Sequence, residues 1–212
     1  MMFEADTLGV TPTNLSAVAL GSYAIAVEPV GSALLSLAQH ESHRAVVALD
    51  CNLRAALVGP LQLWRQRIEQ LARQASIVKL SEEDFWHGWS GQGTPDDQAA
   101  SWLELGVKLV VMTAGARGAT AWYRSGRVTL PGRSVEVVDT VGAGDSFQAA
   151  LLARLARTRS LSPPSLAALD RTSIVDVLQY ANAAASATCA RRGADLPRGA
   201  DIDKLMTERQ ES

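Results

Sequence analysis

The chain has 212 residues, of which 47% are hydrophobic and 20% charged, with a formal net charge of −2. That length supports one ordinary domain with a sizeable core, and the composition is that of a globular protein rather than a disordered or fibrous one. Basic residues are scattered rather than striped, which argues against a nucleic-acid partner. The opening run Met1 to Asp6 is acidic where a signal peptide is basic. The most apolar early stretch, Ala17 to Val27, is too short to cross a bilayer and stops at Glu28-Pro29, so no membrane partner is expected. Cys51 and Cys189 stand far apart and read as reduced, buried thiols, which suits the cytoplasm.

In chain order, short β-like runs alternate with longer helical ones. Ser16–Leu20 and Ala45–Leu49 read as buried strands, each followed after a connection by a helical stretch, Val30–Gln39 and Pro60–Ala75. Ser76–Leu80 and Val107–Thr113 are two more strands, with Pro95–Leu105 as a helix between them. This β-α-β-α rhythm predicts an α/β fold with a mostly parallel sheet and helices on both faces. Ala119–Arg124 and Arg127–Leu130, joined by Ser125-Gly126, then read as an antiparallel hairpin. The apolar run Val135–Val138 leads to a glycine-rich turn and a helix ending near Arg157. A Ser/Pro-rich loop over Ser160–Ser165 precedes an alanine-rich helix, Ser173–Arg191, for which Gly193 is the expected C-cap. The tail from Thr207 is polar, and no repeat or linker divides the chain, so residues 1–212 read as a single domain.

The chemistry concentrates in Asp139-Thr140-Val141-Gly142-Ala143-Gly144-Asp145 and the helix after it. Small residues opening a helix aim unpaired N–H groups and the positive end of the helix dipole at one point, which makes an anion site. A carboxylate beside an anion needs another task, so Asp145 reads as a base held next to a phosphoryl group. A Gly-x-Gly turn also opens helices for purely structural reasons, with the Asp merely complementing the dipole. The run is not a Walker loop, since no Gly-Lys-Ser/Thr follows, and Phe147 stands where a dinucleotide fingerprint has its third Gly.

The whole string resembles the C-terminal signature of the ribokinase-like (PfkB) sugar kinases. Asp139, Thr140, Gly142, Ala143, Gly144, Asp145, Ala149 and Ala150 all fit it. The resemblance implies a ribokinase-like fold and an ATP-dependent kinase acting on a sugar hydroxyl, with the fructokinase-like branch favoured. Asp145 would be the base, and the N–H groups of Gly142, Ala143, Gly144 and Asp145 would stabilise charge on the phosphoryl oxygens. Asp50-Cys51-Asn52-Leu53-Arg54 resembles the Asp-Pro-Asn-x-Arg of bacterial fructokinases except at Cys51. It implies sugar contacts from Asp50, Asn52 and Arg54; the alternative is a turn in which Asp50 and Asn52 serve the local backbone and Arg54 is solvated. Glu82 has the spacing of the family's Asn-x-x-Glu, whose Glu holds Mg²⁺ through water, while Lys79 replaces the Asn. Ser81-Glu82-Glu83-Asp84 is at the same time a good helix start.

Thr113-Ala114-Gly115-Ala116-Arg117-Gly118 resembles the family's nucleotide loop, giving Thr113, Gly115 and Gly118 as nucleotide contacts, though a tight turn needs the same glycines. Asn182 and the Arg191-Arg192-Gly193-Ala194 turn resemble the segments around adenine. Asp139 and Val141 match positions that bind a monovalent cation, K⁺, in some relatives. His40, His43 and His87 lack partners at zinc spacing, and the five tryptophans read as packing residues.

No Gly-Gly-x-x-x-Asn sugar-binding element or lid strands are present, so in family terms the chain begins just after the lid. The expectation is an N-terminally truncated kinase domain with poor turnover by itself, whose partner would be a second copy of the chain in a homo-oligomer or a complementing chain. The alternatives are a non-catalytic nucleotide-binding remnant, or a kinase for 2-keto-3-deoxygluconate or ribose.

Overall fold

The protein is described from a computed structural model covering residues 11–193 and 195–208. The acidic opening residues, Ala194 and the end of the polar tail lie outside the described residues.

Six strands form one sheet in the order β1 to β6: β1 Ala17–Leu20, β2 Val46–Asp50, β3 Ile77–Ser81, β4 Leu109–Thr113, β5 Ala119–Tyr123 and β6 Gly126–Leu130. Strands β1 to β4 run parallel, and β5 and β6 return antiparallel as the expected hairpin. Helices α1 (Val30–Glu41), α2 (Leu61–Ala72), α3 (Glu82–Gly88) and α4 (Pro95–Glu104) make the parallel connections. Helices α5 (Ala143–Arg157), α6 (Pro163–Ala167), α7 (Arg171–Cys189) and α8 (Gly199–Glu208) follow the hairpin.

Period-two alternation along each strand sorts the core into two halves. Val47, Leu49, Val78, Leu80 and Val110 face Ile68, Leu71 and Phe85 of α2 and α3. Val46, Ala48, Ile77, Leu109 and Val111 face Phe147 and Leu151 of α5 and Val177 and Ala181 of α7. Both faces of the central strands are therefore buried, which is why they read as continuous apolar runs. Trp64, Trp89 and Trp102 pack edge-on within the first half, with ring centroids 4.9 and 5.4 Å apart along the row.

Two local expectations change, at 160–165 and at Gly193, and two segments that the sequence left open take definite form. The segment 160–165 is not all loop: Ser162 caps α6 through the Ser165 N–H, with Pro163 at its first position, where a missing N–H costs nothing. The C-terminal segment forms α8, whose Ile202 is buried against α7. Helix α7 ends at Ala190, which keeps a negative φ, so Gly193 does not cap it. The left-handed φ of +68° at Gly193 serves a later turn that aims its N–H at Asp139. The run Val135–Val138 forms no strand, and Val137 and Val138 are exposed.

Candidate active site

Because β1 to β4 are parallel, their C-terminal ends share one edge of the sheet, the edge where ligands bind in open α/β folds. Asp50 ends β2 and lies in register with Lys79 of β3; Ser81 ends β3 opposite Thr113 of β4. The β3 end runs directly into Glu82 and α3.

The glycine-rich turn arrives at this edge from the far side of the hairpin. Gly142 caps α5 at φ 80° and ψ −2°, a left-handed geometry that a Cβ would penalise. Its carbonyl accepts the Ser146 N–H at 2.8 Å, and Thr140 O accepts the Ala143 N–H at 3.3 Å. Among the described hydrogen bonds, the N–H groups of Gly142, Gly144 and Asp145 have no protein acceptor. The cradle therefore offers three free donors rather than the four expected, because Ala143 spends its own closing the turn. Asp145 lies exposed in the first turn of α5, beside those donors.

Sequence reasoning missed the group beneath this turn. Lys79 is 4% exposed, and its Nζ donates to Asp50 Oδ2 at 2.7 Å. Both side chains fall on the strand face that packs against α5, ending the stripes Val46-Ala48 and Ile77. A Cβ on Gly144 would stand 3.2 Å from Lys79 Nζ. Asp50 Oδ1 is buried with no hydrogen-bond partner. Burial pushes the Asp50 carboxyl above its ordinary range, Lys79 pulls it back, and the Asp84 and Asp145 carboxylates push it up again. The register of adjacent strand ends was the available signal for this pair.

Asp84 organises the loop after β2. Its Oδ2 accepts the Ser81 N–H at 2.8 Å while Ser81 Oγ accepts the Asp84 N–H at 2.9 Å, the capping box expected at this helix start. Its Oδ1 accepts the Leu53 N–H at 2.9 Å, so one buried carboxylate fastens loop 51–54 to α3. Asn52 sits at φ 37°, which asparagine tolerates better than most residues. Arg54 is exposed and bonds only to Leu53 O at 3.3 Å, leaving its charge free among the described contacts. Buried Cys51 has its thiol pushed well up by burial and by the Asp84 and Asp50 carboxylates.

Glu82 is ion-paired with Arg117, joining the β3 end to loop 113–118. In that loop Thr113 is half-buried, and a short 3₁₀ turn spans Gly115–Arg117. Gly118, at φ 91°, is fixed by packing: a Cβ there would fall 2.1 Å from Leu130 O. Gly115, at φ 55°, has open space where its side chain would be. Asn182 Nδ2 donates to Pro131 O at 3.4 Å, which pins the exit of β6 to α7. Asp139 accepts from the Val141 N–H at 3.0 Å and from the Gly193 N–H at 2.9 Å. These two N–H groups hold its carboxyl below the ordinary value and tie the signature to the turn after α7.

The structure thus brings Asp50, Glu82, Thr113 and the 142–145 turn to one edge. Asn182 is engaged at the exit of β6, and Asp139 at the turn after α7.

Comparison with known proteins identifies relatives of the chain. The chain is 38% identical over 162 residues to a fructokinase of Rhizobium leguminosarum bv. trifolii, covering 76% of this chain and 49% of that protein. It is 32% identical to fructokinase-1 of Oryza sativa subsp. japonica, covering 88% of this chain and 57% of the other. The chain spans about half the length of the curated relatives it matches. A crystal structure of fructokinase from Vibrio cholerae O395, in a form with fructose, ADP and calcium ion bound, superposes with a TM-score of 0.78. That match has 24% identity over 96% of this chain and 64% of the other, and it shows the fold. The family model described as pfkB family carbohydrate kinase matches residues 12–200. With that span matched, and with the glycine turn, its aspartate and the strand-end carboxylates on one edge, the chain belongs to the pfkB family of carbohydrate kinases.

Proposed function

We propose that this chain works as an ATP-dependent sugar kinase of the fructokinase kind, moving the γ-phosphoryl group to a sugar hydroxyl. The observation that carries the reading is the 142–145 turn, with three N–H donors free beside the exposed Asp145 carboxylate. Phosphoryl transfer asks little covalent chemistry of a protein and depends on positioning and charge stabilisation. In this reading the N–H groups of Gly142, Gly144 and Asp145 hold the transferred oxygens at the positive end of α5. The Asp145 carboxylate accepts the proton that the attacking hydroxyl sheds. Thr113, Gly115 and Gly118 flank the nucleotide, Asn182 lies toward its base, and Asp50, Asn52 and Arg54 line the sugar side.

The donor set fits a magnesium–nucleotide rather than a protein-caged ion. Among the described residues no group of three or more His, Cys, Asp or Glu could hold a metal, and Glu82 is a single carboxylate at the edge. Mg²⁺ binds in that way, through one or two carboxylates and phosphate oxygens with several waters retained. When bound it would neutralise charge across the phosphates, with Glu82 holding it through water. Asp139, committed to two N–H groups, keeps lone pairs for a monovalent ion such as K⁺. Two free thiols suit a reducing compartment such as the cytoplasm, and no described helix is long and apolar enough to cross a membrane.

The test is mass-spectrometric detection of sugar phosphate after incubation with ATP, Mg²⁺ and a panel of fructose, ribose, 2-keto-3-deoxygluconate and nucleosides. ATP-dependent phosphorylation of fructose above the others, reduced about 10²–10⁴-fold in Asp145→Asn with ATP affinity nearly kept, supports the reading. Nucleotide binding with no phosphorylated product from any acceptor refutes it and leaves a nucleotide-binding chain.

A further inference from the structure

A second recess lies at the edge of the sheet opposite the candidate active site. Strand β5 leaves loop 113–118 with Ala119 opposite Thr113 and ends with Tyr123 opposite Leu109. Its four steps carry the hairpin tip about 13 Å from that loop. There the tip, residues 123–127, and the α6–α7 connection, residues 167–171, form the two walls of a groove of about 690 Å³. Small-molecule sites run to about 300–1,000 Å³, so the groove is of ligand size. Tyr123 and Leu169 are buried members of the core beneath α5 and α7, and both walls are therefore fixed by packing.

The charges in this groove set it apart. Arg124 lies in the two-residue turn between β5 and β6, and Arg171 opens α7. Both are exposed and line the groove, and among the described contacts neither guanidinium has a partner. On the neighbouring surfaces of α5 and α7 the arginines are neutralised. Arg154 pairs with Asp176 and Arg157 with Asp203, and both stack on Tyr180. Arg127, the third arginine of the groove, is likewise committed to Asp96, at 2.8 and 3.0 Å. Two unpaired like charges around one recess favour a dianion between them, and a guanidinium meets phosphate oxygens as a fork of parallel donors.

The groove also holds one acid. Asp170 caps α7 by accepting the Ser173 N–H at 2.8 Å, and hydrogen bonding from Ser173 holds its carboxyl below the ordinary range. An ionised carboxylate keeps acceptor positions beyond one such bond and has no donor to offer. It repels a bare anion and accepts from hydroxyl groups. The lining therefore suits a molecule with a dianionic phosphate at one end and hydroxyls at the other.

We propose that the groove between the β5–β6 tip and the α6–α7 connection is a binding site for a phosphate monoester of a polyol, a sugar phosphate, with Arg124 and Arg171 on the phosphate and Asp170 on the hydroxyls. The site is separate from the 142–145 turn and goes beyond the kinase reading. Inorganic phosphate shares only the arginine half of this chemistry.

Calorimetric titration of fructose 6-phosphate and of inorganic phosphate into the 212-residue chain, at fixed ionic strength, tests this. Fructose 6-phosphate is expected to bind at least about tenfold tighter than inorganic phosphate. Arg124→Gln and Arg171→Gln, surface changes expected to leave the melting temperature unmoved, should each weaken it at least about tenfold through loss of one charge-assisted fork. Asp170→Asn keeps the helix cap and is expected to shrink the preference over inorganic phosphate to less than about threefold. Asp145→Asn, at the other edge, is expected to leave this binding unchanged. Binding that survives the arginine substitutions overturns the proposal, and its loss in Asp145→Asn would then place the ester at the active site. No binding by the wild-type chain also overturns it, and equal affinity for inorganic phosphate overturns the sugar half of the assignment. None of these outcomes bears on sugar phosphorylation, which the product assay reads separately.

Discussion

Replacing Gly144 by Ala isolates the contact between the turn and the buried ammonium. Gly144 does not have a left-handed φ, so the backbone itself accepts a side chain there. Within the first turn of a helix, Gly→Ala is worth about 0.5–1 kcal/mol of added stability on propensity grounds. The opposing term comes from Lys79, whose Nζ would stand 3.2 Å from the new Cβ, inside the about 3.5–4.0 Å of ordinary contact. The ammonium cannot easily retreat, because it is buried and held at 2.7 Å by Asp50. Overpacking of this kind costs about 1–3 kcal/mol, so Gly144→Ala should be net destabilising by about 1–2 kcal/mol. In a background of Asp50→Asn with Lys79→Ala, the obstruction and both buried charges are gone. The same substitution should then stabilise by about 0.5–1 kcal/mol. Urea unfolding of the four proteins measures the cycle, with an expected coupling of about 1.5–3 kcal/mol and a change of sign. Equal effects in both backgrounds, within about 0.5 kcal/mol, would show that the glycine is not there for the lysine.

Asp139 has a depressed pKa through the Val141 and Gly193 N–H groups, so it stabilises the fold above the unfolded value of about 3.9 and loses that contribution as pH falls through its folded value. Thermal melts from neutral to acidic pH should therefore drop more steeply below about pH 4 for wild type than for Asp139→Asn; parallel curves would refute the role. Gly118→Ala places a Cβ 2.1 Å from Leu130 O at a φ of 91°, and should destabilise by about 3 kcal/mol or more in chemical denaturation. Glu82→Gln breaks a largely exposed pair with Arg117 and should shift stability by less than about 1 kcal/mol. The same variant should raise the Mg²⁺ concentration needed for nucleotide binding, and an unchanged Mg²⁺ requirement would remove Glu82 from the metal's surroundings.

Much of the architecture was legible because it depends on local pattern. Apolar runs such as Val46–Leu49 and Leu109–Met112 mark doubly buried parallel strands, and Ser125-Gly126 between two β-like runs marks the hairpin. The glycine turn is legible from residue types, but they leave a purely structural helix start open, and Asp145 was singled out by the resemblance of the whole string 139–150 to the family signature. Helix α6 announced itself in Ser162-Pro163, a signal short enough to read as loop, while α8, marked by the spacing of Ile202, Leu205 and Met206, lies in a segment to which the sequence reading gave no element. The four-donor cradle failed at Ala143 because closing the turn onto Thr140 uses one N–H, a detail of dihedral angles that composition does not carry.

By itself the sequence determined the parallel sheet, the edge at which its loops collect, and the glycine turn that opens a helix beside an aspartate. Each of these follows from the period of the apolar pattern or from what glycine permits the backbone. Only the tertiary structure decided that Asp50 and Lys79, 29 residues apart, form a buried ion pair under Gly144. It decided likewise that Asp84 fastens loop 51–54 to α3 and that Asp139 clasps the turn at Gly193. The physical reason is that hydrogen bonding and charge pairing act over a few ångströms. Which distant residues come within that range is set by strand register and helix docking, not by their positions along the chain.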